Sequence, residues 1–500
     1  MARTFADRIE QARLAARSIK EYGGGLITPT VRLGITGLSR AGKTVFITAL
    51  VHGLVRSGRF PVFEALSEGR ITKARLAPQP DDAVPRFDYE SHVQALVADR
   101  VWPESTRQIS ELRLVIEYQS RSGAMRELVL DMVDYPGEWL LDLPLLSKSF
   151  ETWSAETLEL SRQEPRTRLA AQWRAHLTTL DAAAPAGENA VIAAARLFTA
   201  YLAACRNERY AMSLLPPGRF LMPGDLAGSP ALTFAPLDLP RDRAPPDGSL
   251  WAMMRRRYEA YKKMVVRPFF RDHFARLDRQ IVLIDALAAF NAGPEAVLDL
   301  ERTFRSLLDC FEIGRRTFLS ALLRPRADRI LFAATKADHL HHESHDRLEA
   351  ILRRLVTRAI VRADVAGAAV DVIALAAVRA TREAEVEVEV RWGGQKFPCI
   401  LGVPAPGEHA EGAGRKGFDS KIFDGKTEIA VFPGDLSDNP DAPFAPNAAA
   451  FRGLTDAEGA DFRFVRFRPP PLETTGDDAP PLPHIRLDRA LQFLIGDRLT

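Results

Sequence analysis

The sequence has little cysteine and no long apolar run. Its 500 residues include only three cysteines, Cys205, Cys310 and Cys399, which are scattered without metal-ligand spacing. This pattern argues against a disulfide framework and predicts small, buried, reduced thiols. No stretch approaches the ~20 apolar residues of a membrane span, and the N-terminus lacks the apolar region of an export signal. These absences predict a cytoplasmic protein.

Further absences narrow the function. The net charge is only +2, and no basic surface with interleaved aromatic residues is visible, so we expect no direct contact with nucleic acid. No Ser-His-Asp arrangement and no pair of catalytic carboxylates stands out. The metal-like cluster of the chain comprises His339, His341, His342, Glu343, His345 and Asp346. His341 and His345 would share one face of a helix and bind a metal there, or the segment is a solvated loop.

A phosphate-binding loop is the most informative feature that is present. The segment from Gly37 to Thr44 fits G-x-x-x-x-G-K-[ST] and lies between a predicted strand, Val31 to Thr36, and a predicted helix, Val45 to Val55. The glycines let backbone N–H groups turn toward a phosphate at a helix N-terminus that favours anions. Lys43 would supply charge to the β- and γ-phosphates, and the Thr44 hydroxyl would hold Mg²⁺. The residues predicted to contact nucleotide here are Gly37, Ser39, Arg40, Ala41, Gly42, Lys43, Thr44 and Val45.

A second predicted strand, Leu128 to Val133, ends in D-x-x-G. Asp134 can reach the Mg²⁺ shell, usually through water. The Gly137 N–H can meet a γ-phosphate oxygen only when a third phosphate is present. One hydrogen bond then orders a loop that hydrolysis releases, which is the physical basis of a switch.

A third segment follows a buried strand and reads T-K-x-D, with Thr335, Lys336 and Asp338. It resembles the N-K-x-D base-reading motif of GTPases, with Thr in place of Asn. A carboxylate at Asp338 can accept from both N1–H and the 2-amino group of guanine, a donor pair that adenine lacks. The Lys336 stem would lie along the base. Ala377 and Val378 stand where GTPases carry a loose S-A-x turn around the base, and here only backbone and small side chains can serve.

These motifs in this order make the chain resemble a P-loop GTPase, and specifically the YcjX family of bacterial stress-associated P-loop GTPases. The segments that carry the resemblance are Gly37 to Thr44, Val133 to Leu140 with its distinctive D-Y-P-G-E-W, Thr335 to Asp338, and His484 to Leu491. The similarity runs along nearly the whole chain. It implies a GTP/GDP-binding cytoplasmic protein that is connected with envelope-stress responses and with a membrane-protein neighbour at the inner membrane.

The motif positions predict an α/β fold: a GTPase-like, mostly parallel sheet flanked by helices, with a helical insertion and a small C-terminal β-rich region. The predicted divisions are an N-terminal helix (1–28), the first half of the core (29–140), a mainly helical insertion (141–279), the second half of the core (280–384), the β-rich region (385–483) and a helix that packs back on the core (484–500). The basic N-terminal helix either packs on its own domain or touches a membrane surface. The excursion from Gly58 to Arg107 has the turn chemistry of a surface loop. Ile109 to Tyr118 is predicted to pair antiparallel with Glu127 to Val133.

The predicted catalytic set is Lys43, Thr106, Gly137, Glu138 and Arg40, and the predicted metal set is Thr44, Thr106 and Asp134. Thr106, with Ser105 as the alternative, precedes the second strand, where GTPases place a Mg²⁺-sensing threonine; otherwise it caps a turn. Glu138 stands where GTPases often carry a Gln that orients water, but a carboxylate brings negative charge toward the phosphates. Glu138 therefore either orients water despite this charge or pairs with a basic residue such as Arg40. Arg40 itself either stabilises the transition state or points outward into a salt bridge.

The favoured hypothesis is a slow GTPase switch with a helical effector insertion, completed by a partner or by a nucleotide-dependent dimer. The second is a GTP/GDP-binding scaffold with negligible turnover, which Glu138 in place of Gln keeps open. The third is a P-loop small-molecule kinase or ATPase, which would have no need for a guanine reader.

Overall fold

The computed structural model describes residues 28–38, 40–56, 58–104, 106, 108–240, 244–312, 327–365, 367–390, 393–410, 421–433, 436–445, 465–472 and 480–500. The predicted N-terminal helix, Ser39 and Ser105 lie outside these residues, and so does the side chain of Cys310. Cys205 and Cys399 are both buried thiols.

A seven-stranded sheet forms the centre of the molecule, in the order β2-β3-β4-β1-β5-β6-β7. Only β3 runs against the other six strands, because β2 and β4 both pair with it antiparallel while β4, β1, β5, β6 and β7 pair in parallel. The strands are β1 (Thr30–Gly37), β2 (Ile71–Ala77), β3 (Ser110–Gln119), β4 (Met125–Asp134), β5 (Arg279–Ile284), β6 (Arg329–Ala334) and β7 (Ala369–Ala374). The predicted α/β fold with a mostly parallel sheet is confirmed, as is the predicted β3–β4 pairing.

The excursion from Gly58 to Arg107 is not simply a surface loop, and that prediction is wrong for its middle part. Ile71–Ala77 forms the edge strand β2, and short helices lie at Glu64–Ser67 and Tyr89–Gln94. Lys73 and Arg75 interrupt the apolar positions of β2, as suits an edge strand, which meets water on one side. Because of these two charged residues, the apolar alternation that predicts a strand is weak in this segment.

One face of the sheet is covered by helix α1 (Lys43–Val55) and by the C-terminal helix α14 (Leu487–Ile495). Alternate strand residues point toward this layer, for example Leu331 and Ala333 of β6, and they share a core with Phe46, Leu50 and Leu491. Phe332 and Ala334 of the same strand belong to the core on the opposite face. This alternation is the period of two that a strand imposes on its side chains.

The opposite face is covered by the insertion and by the helices that follow it. Trp153, Trp173 and Phe198 of the insertion share one continuous apolar core with Val133 and Phe332 of the sheet. The insertion therefore covers the sheet and does not project from it.

On both faces together, the remaining helices, α2 to α13 in chain order, are Glu64–Ser67, Tyr89–Gln94, Phe150–Leu160, Arg166–Leu169, Ala171–Leu177, Glu188–Arg206, Gly218–Leu221, Leu250–Tyr261, Arg267–Asp272, Ala286–Ala292, Pro294–Glu312 and His345–Val365.

A small antiparallel sheet lies near the C-terminus, with the order β12-β9-β8. Its strands are β8 (Arg382–Val390), β9 (Gly393–Gly402) and β12 (Ile429–Val431), and a separate short pair joins β10 (His409–Ala410) to β11 (Lys421–Ile422). Beside these strands, Phe467 forms an isolated antiparallel bridge to Pro404. Within the described ranges, none of the helices combines the length and apolar character needed to cross a bilayer.

Candidate functional site

The sequence motifs meet at one edge of the central sheet. The carboxyl ends of parallel strands lie at the same edge, and in open α/β sheets ligands bind there. β1 ends at Gly37, β4 at Asp134 and β6 at Ala334. β3 runs the other way, so its first residue, Ser110, lies opposite Asp134, and the loop that carries Thr106 enters at the same edge.

The phosphate loop has the backbone that its glycine predicts. Gly42 has φ 80° at the N-cap of α1, a left-handed conformation that glycine adopts without strain. Among the residues that the structure describes, no side chain caps this helix N-terminus, so its first N–H groups can donate to an anion. Lys43 is 7 % exposed, and its Nζ donates to the carbonyl of Gly37 at 3.2 Å. The helix N-terminus and the lysine together make an anion site.

Thr44, Thr106 and Asp134 converge beside the loop. The Thr106 hydroxyl donates to Asp134 Oδ2 at 2.5 Å, and the Thr44 hydroxyl lies 3.3 Å from that of Thr106. Asp134 Oδ1 is buried and has no hydrogen-bond partner within the described residues. Burial raises the pKa of Asp134 to about 6, although the charge of Lys43 opposes that shift.

This trio fits a magnesium ion. Mg²⁺ prefers oxygen ligands and keeps several waters, and a buried carboxylate oxygen without a donor is the kind of group that an ion or its water satisfies. The hydroxyl of Thr106 contacts Asp134 rather than capping a turn. The donor set therefore matches the chemistry that the sequence predicts for Thr44, Thr106 and Asp134.

Gly137 packs directly on the phosphate loop. A Cβ atom at this position would lie 1.5 Å from the carbonyl oxygen of Gly37, the same oxygen that accepts from Lys43. Only glycine allows so close an approach. The backbone of D-x-x-G and the phosphate loop are therefore in contact.

Glu138 and Arg40 do not pair with each other. Glu138 pairs with Arg206, with 3.4 Å between Oε1 and Nη1, whereas Arg40 pairs with Glu208 at 2.7 Å. The suggested Glu138–Arg40 pair is therefore wrong, because the insertion supplies a partner of opposite charge to each. The Arg40 side chain is 44 % exposed, which matches the outward-pointing alternative.

The insertion also clamps the segment that follows D-x-x-G. The Arg219 guanidinium lies 3.1 Å from the centre of the Trp139 ring, and the indole N–H donates to the carbonyl of Met222 at 2.9 Å. The Gly218 N–H donates to Asp142 at 2.7 Å. Burial raises the pKa of Asp142 to about 7. The segment from Trp139 to Asp142 is thus held at both of its ends by the insertion.

Sequence reasoning missed Arg206, Gly218 and Arg219. Pro216, Pro217 and Gly218 indicated only a break between helices. Local sequence patterns do not pair residues so far apart along the chain, so no pattern could have assigned these contacts to Glu138 and Trp139.

The T-K-x-D segment adopts a tight conformation at the end of β6. Lys336 has φ 62°, and its Nζ contacts Asp285 Oδ2 at 2.5 Å. Asp338 is 4 % exposed, and its Oδ2 accepts from the N–H of Ala380 at 2.9 Å. A carboxylate oxygen has two lone pairs, so this bond leaves acceptor capacity for a base.

Neighbouring residues hold that segment in place. The Thr335 hydroxyl donates to the carbonyl of Ile284 at 3.3 Å, and the Thr381 hydroxyl donates to the carbonyl of Asp338. Ala377 and Val378 lie in the turn after β7, directly after Ala376, which forms a bridge to Ile485. Asp285 also caps helix α11 by accepting from the Ala288 N–H at 3.0 Å.

His341 and His345 do not share one helix face, as the metal alternative requires, because helix α13 begins only at His345. His345 turns inward and its Nε2 donates to the carbonyl of Ala337 at 2.9 Å, so it does not share a site with His341. His341, His342 and Glu343 do lie close together. His342 Nδ1 lies 2.7 Å from Glu383, a carboxylate that also accepts from Arg379 at 3.4 Å.

A cleft with a volume of ≈ 210 Å³ joins the phosphate loop to the T-K-x-D segment. Arg40, Glu138, Arg206, Asp285 and Lys336 line it. The C-terminal region closes its outer side, because Arg466 pairs with both Glu208 and Glu408.

Comparison with known proteins agrees with this geometry. The model of the YcjX-like family, DUF463, matches residues 31–499. The chain is 36 % identical over 493 residues to a protein of Escherichia coli (strain K12) named "Ras-like GTPase YcjX", covering 94 % of this chain and 96 % of that protein. A protein of the same name from Shewanella oneidensis is 32 % identical over 495 residues, covering 94 % of each chain.

Proposed function

We propose a function on the premise that the chain belongs to the YcjX-like family. The chain is a P-loop GTPase that binds GTP and GDP with Mg²⁺ and hydrolyses GTP slowly, as a conformational switch. The observation that carries this proposal is the convergence of Thr44, Thr106 and Asp134 beside the phosphate loop, with one buried carboxylate oxygen unpartnered in the described structure.

Each motif residue has a role in this proposal. Lys43 leaves the Gly37 carbonyl for the β- and γ-phosphates. Thr44, Thr106 and Asp134 hold the ion. Held there, Mg²⁺ would supply positive charge against the negative charge that develops on the transferring phosphoryl group. The Gly137 N–H meets the γ-phosphate.

The base is read by the T-K-x-D segment that follows β6. Asp338 accepts from guanine, with the Lys336 stem along the base, and the backbone of Ala377 and Val378 borders it. Because adenine lacks the N1–H and 2-amino donors, it would cover the buried Asp338 carboxylate without donating to its remaining acceptor positions, which is costly.

Calorimetry with GTP, GDP and ATP tests the proposal on the wild type and on Asp338→Ala. We expect a guanine preference of at least about 10²-fold in the wild type, since unpaired buried groups reject analogues strongly, and its loss in the variant. Asp346→Ala is the matched control, because that carboxylate is exposed and pairs with Arg486. Equal affinity for ATP in the wild type would favour a kinase or ATPase instead.

A scaffold with negligible turnover is the second candidate. The observation in its favour is Glu138, a carboxylate in place of the usual glutamine, held in an ion pair. Phosphate release from GTP by the purified protein, with Lys43→Ala as the control, separates the two. Turnover above that of Lys43→Ala supports the switch, and turnover equal to it supports the scaffold.

The cellular setting is also proposed from the resemblance: a role in the envelope-stress response, with a membrane-protein partner at the inner membrane and a nucleotide-dependent dimer. Sedimentation of the purified protein with GTP and with GDP tests the dimer. An identical sedimentation coefficient with both nucleotides would contradict it.

A further inference from the structure

The residue after D-x-x-G carries a charge that its surroundings must offset. Glu138 is 5 % exposed, and a buried carboxylate stays ionised only where a positive group accompanies it. In the described part of the chain, its ion-pair partner is Arg206, with 3.4 Å between Nη1 and Oε1. Arg206 is the last residue of helix Glu188–Arg206 in the insertion.

We propose that Arg206 is a positioning residue that completes the hydrolytic site within the same chain. Its guanidinium neutralises Glu138 and holds the carboxylate where it accepts a hydrogen bond from the attacking water. A lone carboxylate would repel the phosphates, whereas the Glu138–Arg206 pair adds no net negative charge beside them. The inference deepens the proposed GTP hydrolysis and rests on it.

The reaction itself is an ordinary hydrolysis. The water oxygen bonds to the γ-phosphorus as the bond to the β–γ bridging oxygen breaks, and GDP leaves with that electron pair. The water's oxygen and protons remain with the phosphate product, which exchanges protons with solvent. Glu138 orients the water and Arg206 orients Glu138.

The insertion fixes the backbone of Glu138 as well as its side chain. A Cβ atom on Gly218 would lie 1.8 Å from the carbonyl oxygen of Glu138, so the two backbones are in contact. The helix that carries Arg206 is anchored by Tyr201 and Cys205, which are 3 % and 0 % exposed. A cation at a helix C-terminus is also favoured by the helix dipole.

Arg40 is not placed for this role. It extends from the phosphate loop to Glu208, and both side chains are about half exposed, at 44 % and 50 %. Arg206 is the better shielded of the two arginines, with its side chain 27 % exposed. The pair at Glu138 is thus less screened by water than the pair at Arg40.

Steady-state GTP hydrolysis by Arg206→Ala and Arg206→Lys tests the inference, with GDP affinity and thermal unfolding measured on the same samples. Because positioned acid–base groups contribute roughly 10²–10⁴-fold, we expect kcat of Arg206→Ala to fall by about 10²-fold. The dissociation constant for GDP should change less than about 3-fold, since Glu138 lies on the γ-phosphate side. Arg206→Lys keeps the charge and recovers part of the loss. Arg209→Ala is the matched control, because Arg209 is exposed three residues further on.

A double-variant cycle separates positioning from a merely structural role. In the Glu138→Gln background, Arg206→Ala should lower kcat by no more than about 2-fold, because the neutral amide needs no compensating charge. Equal losses in both backgrounds would overturn the inference, as would an unchanged kcat in Arg206→Ala or a parallel loss of GDP affinity. If the wild type hydrolyses no faster than Lys43→Ala, the proposed function fails too; if only Arg206→Ala is unaffected, this inference fails alone.

Discussion

Asp134 is a buried carboxyl group and also a proposed ligand of Mg²⁺. Burial favours its protonated form, whereas binding an ion requires its ionised form. Burial raises the pKa of Asp134 from 3.8 to about 6. Between these two pH values the carboxyl group is protonated in the folded protein and ionised in the unfolded chain. This contribution to stability is present below about pH 4 and is lost as the pH rises through about 6. A divalent ion binds the ionised carboxylate, so ion and proton compete for the same group.

We therefore expect Mg²⁺·GDP binding to release most of one proton from Asp134 at pH 5.5 and almost none at pH 7.5. Calorimetry in buffers of different ionisation enthalpy measures the number of protons released. Asp134→Asn cannot release this proton, so the difference between wild type and variant isolates it from protons that the nucleotide releases itself. Equal proton release by wild type and variant at pH 5.5 would show that Asp134 does not face the ion.

Gly137 cannot carry even one more carbon. Its Cβ would lie 1.5 Å from the Gly37 carbonyl oxygen, and moving that carbonyl would break its contact with Lys43. We expect Gly137→Ala to lower the free energy of unfolding by about 1–3 kcal/mol, as overpacking does, and to weaken GTP binding more than GDP binding.

Denaturant unfolding and calorimetry measure both effects of Gly137→Ala. Gly187→Ala is the control, because a Cβ there meets no atom within 4 Å and the residue has φ −106°. GTP affinity that survives in Gly137→Ala would contradict the proposed γ-phosphate contact.

The C-terminal region holds the loop that leads to Thr106. Arg468 donates to the carbonyls of Arg100 and Asp99 at 3.3 and 3.4 Å, and the Trp102 indole donates to the Phe467 carbonyl at 2.6 Å. On the other side, the Thr44 hydroxyl donates to the Glu104 carbonyl at 3.3 Å. The segment before Thr106 is therefore held between the phosphate-loop helix and the C-terminal region.

We expect Arg468→Ala to free this segment without unfolding the protein. Hydrogen bonds from a charged donor contribute about 1.5–3 kcal/mol, so amide exchange over residues 99–104 should accelerate by about 10- to 100-fold. Hydrogen exchange read by mass spectrometry measures this change. Arg382→Ala is the control in the same region, because its pair with Glu428 lies on the surface. Unchanged exchange in Arg468→Ala would mean that other contacts hold the loop.

Strands with regular apolar patterns were predictable from the sequence, and contacts between distant segments were not. The strand that ends at Asp134 and the strand that precedes Thr335 have apolar runs, and their motifs made the shared sheet edge predictable. The edge strand Ile71–Ala77 carries Lys73 and Arg75 among its apolar residues, so its pattern was weak. The partners of Glu138 and Arg40 were beyond reach, because single-sequence patterns report local periodicity and not which charges meet across the fold.

The two sides of the cleft are joined across the whole molecule. Glu208 of the insertion pairs with Arg40 of the phosphate loop and with Arg466 of the C-terminal region. The insertion also shares its apolar core with the sheet, through Trp153 and Phe332 among others. Glu208 therefore links the phosphate loop directly to the C-terminal region as well as to the insertion.

The shared core leads to a prediction for unfolding. Trp153 is 1 % exposed and belongs to the same core as Val133 and Phe332 of the sheet, so the insertion cannot unfold without exposing one face of that sheet. We expect the slowest amides of helix Glu188–Arg206 and of strand Arg329–Ala334 to exchange with the same free energy of opening.

Trp153→Ala should lower both values by about 3–5 kcal/mol, as large cavities in a core do. Ile192→Ala, at a position 46 % exposed on the insertion helix, is the control and should change neither. Native-state hydrogen exchange against denaturant measures the two free energies. If the insertion opens at a distinctly lower free energy, or if Trp153→Ala destabilises it alone, the insertion is a separately folding unit and its coupling to the nucleotide runs only through the surface ion pairs.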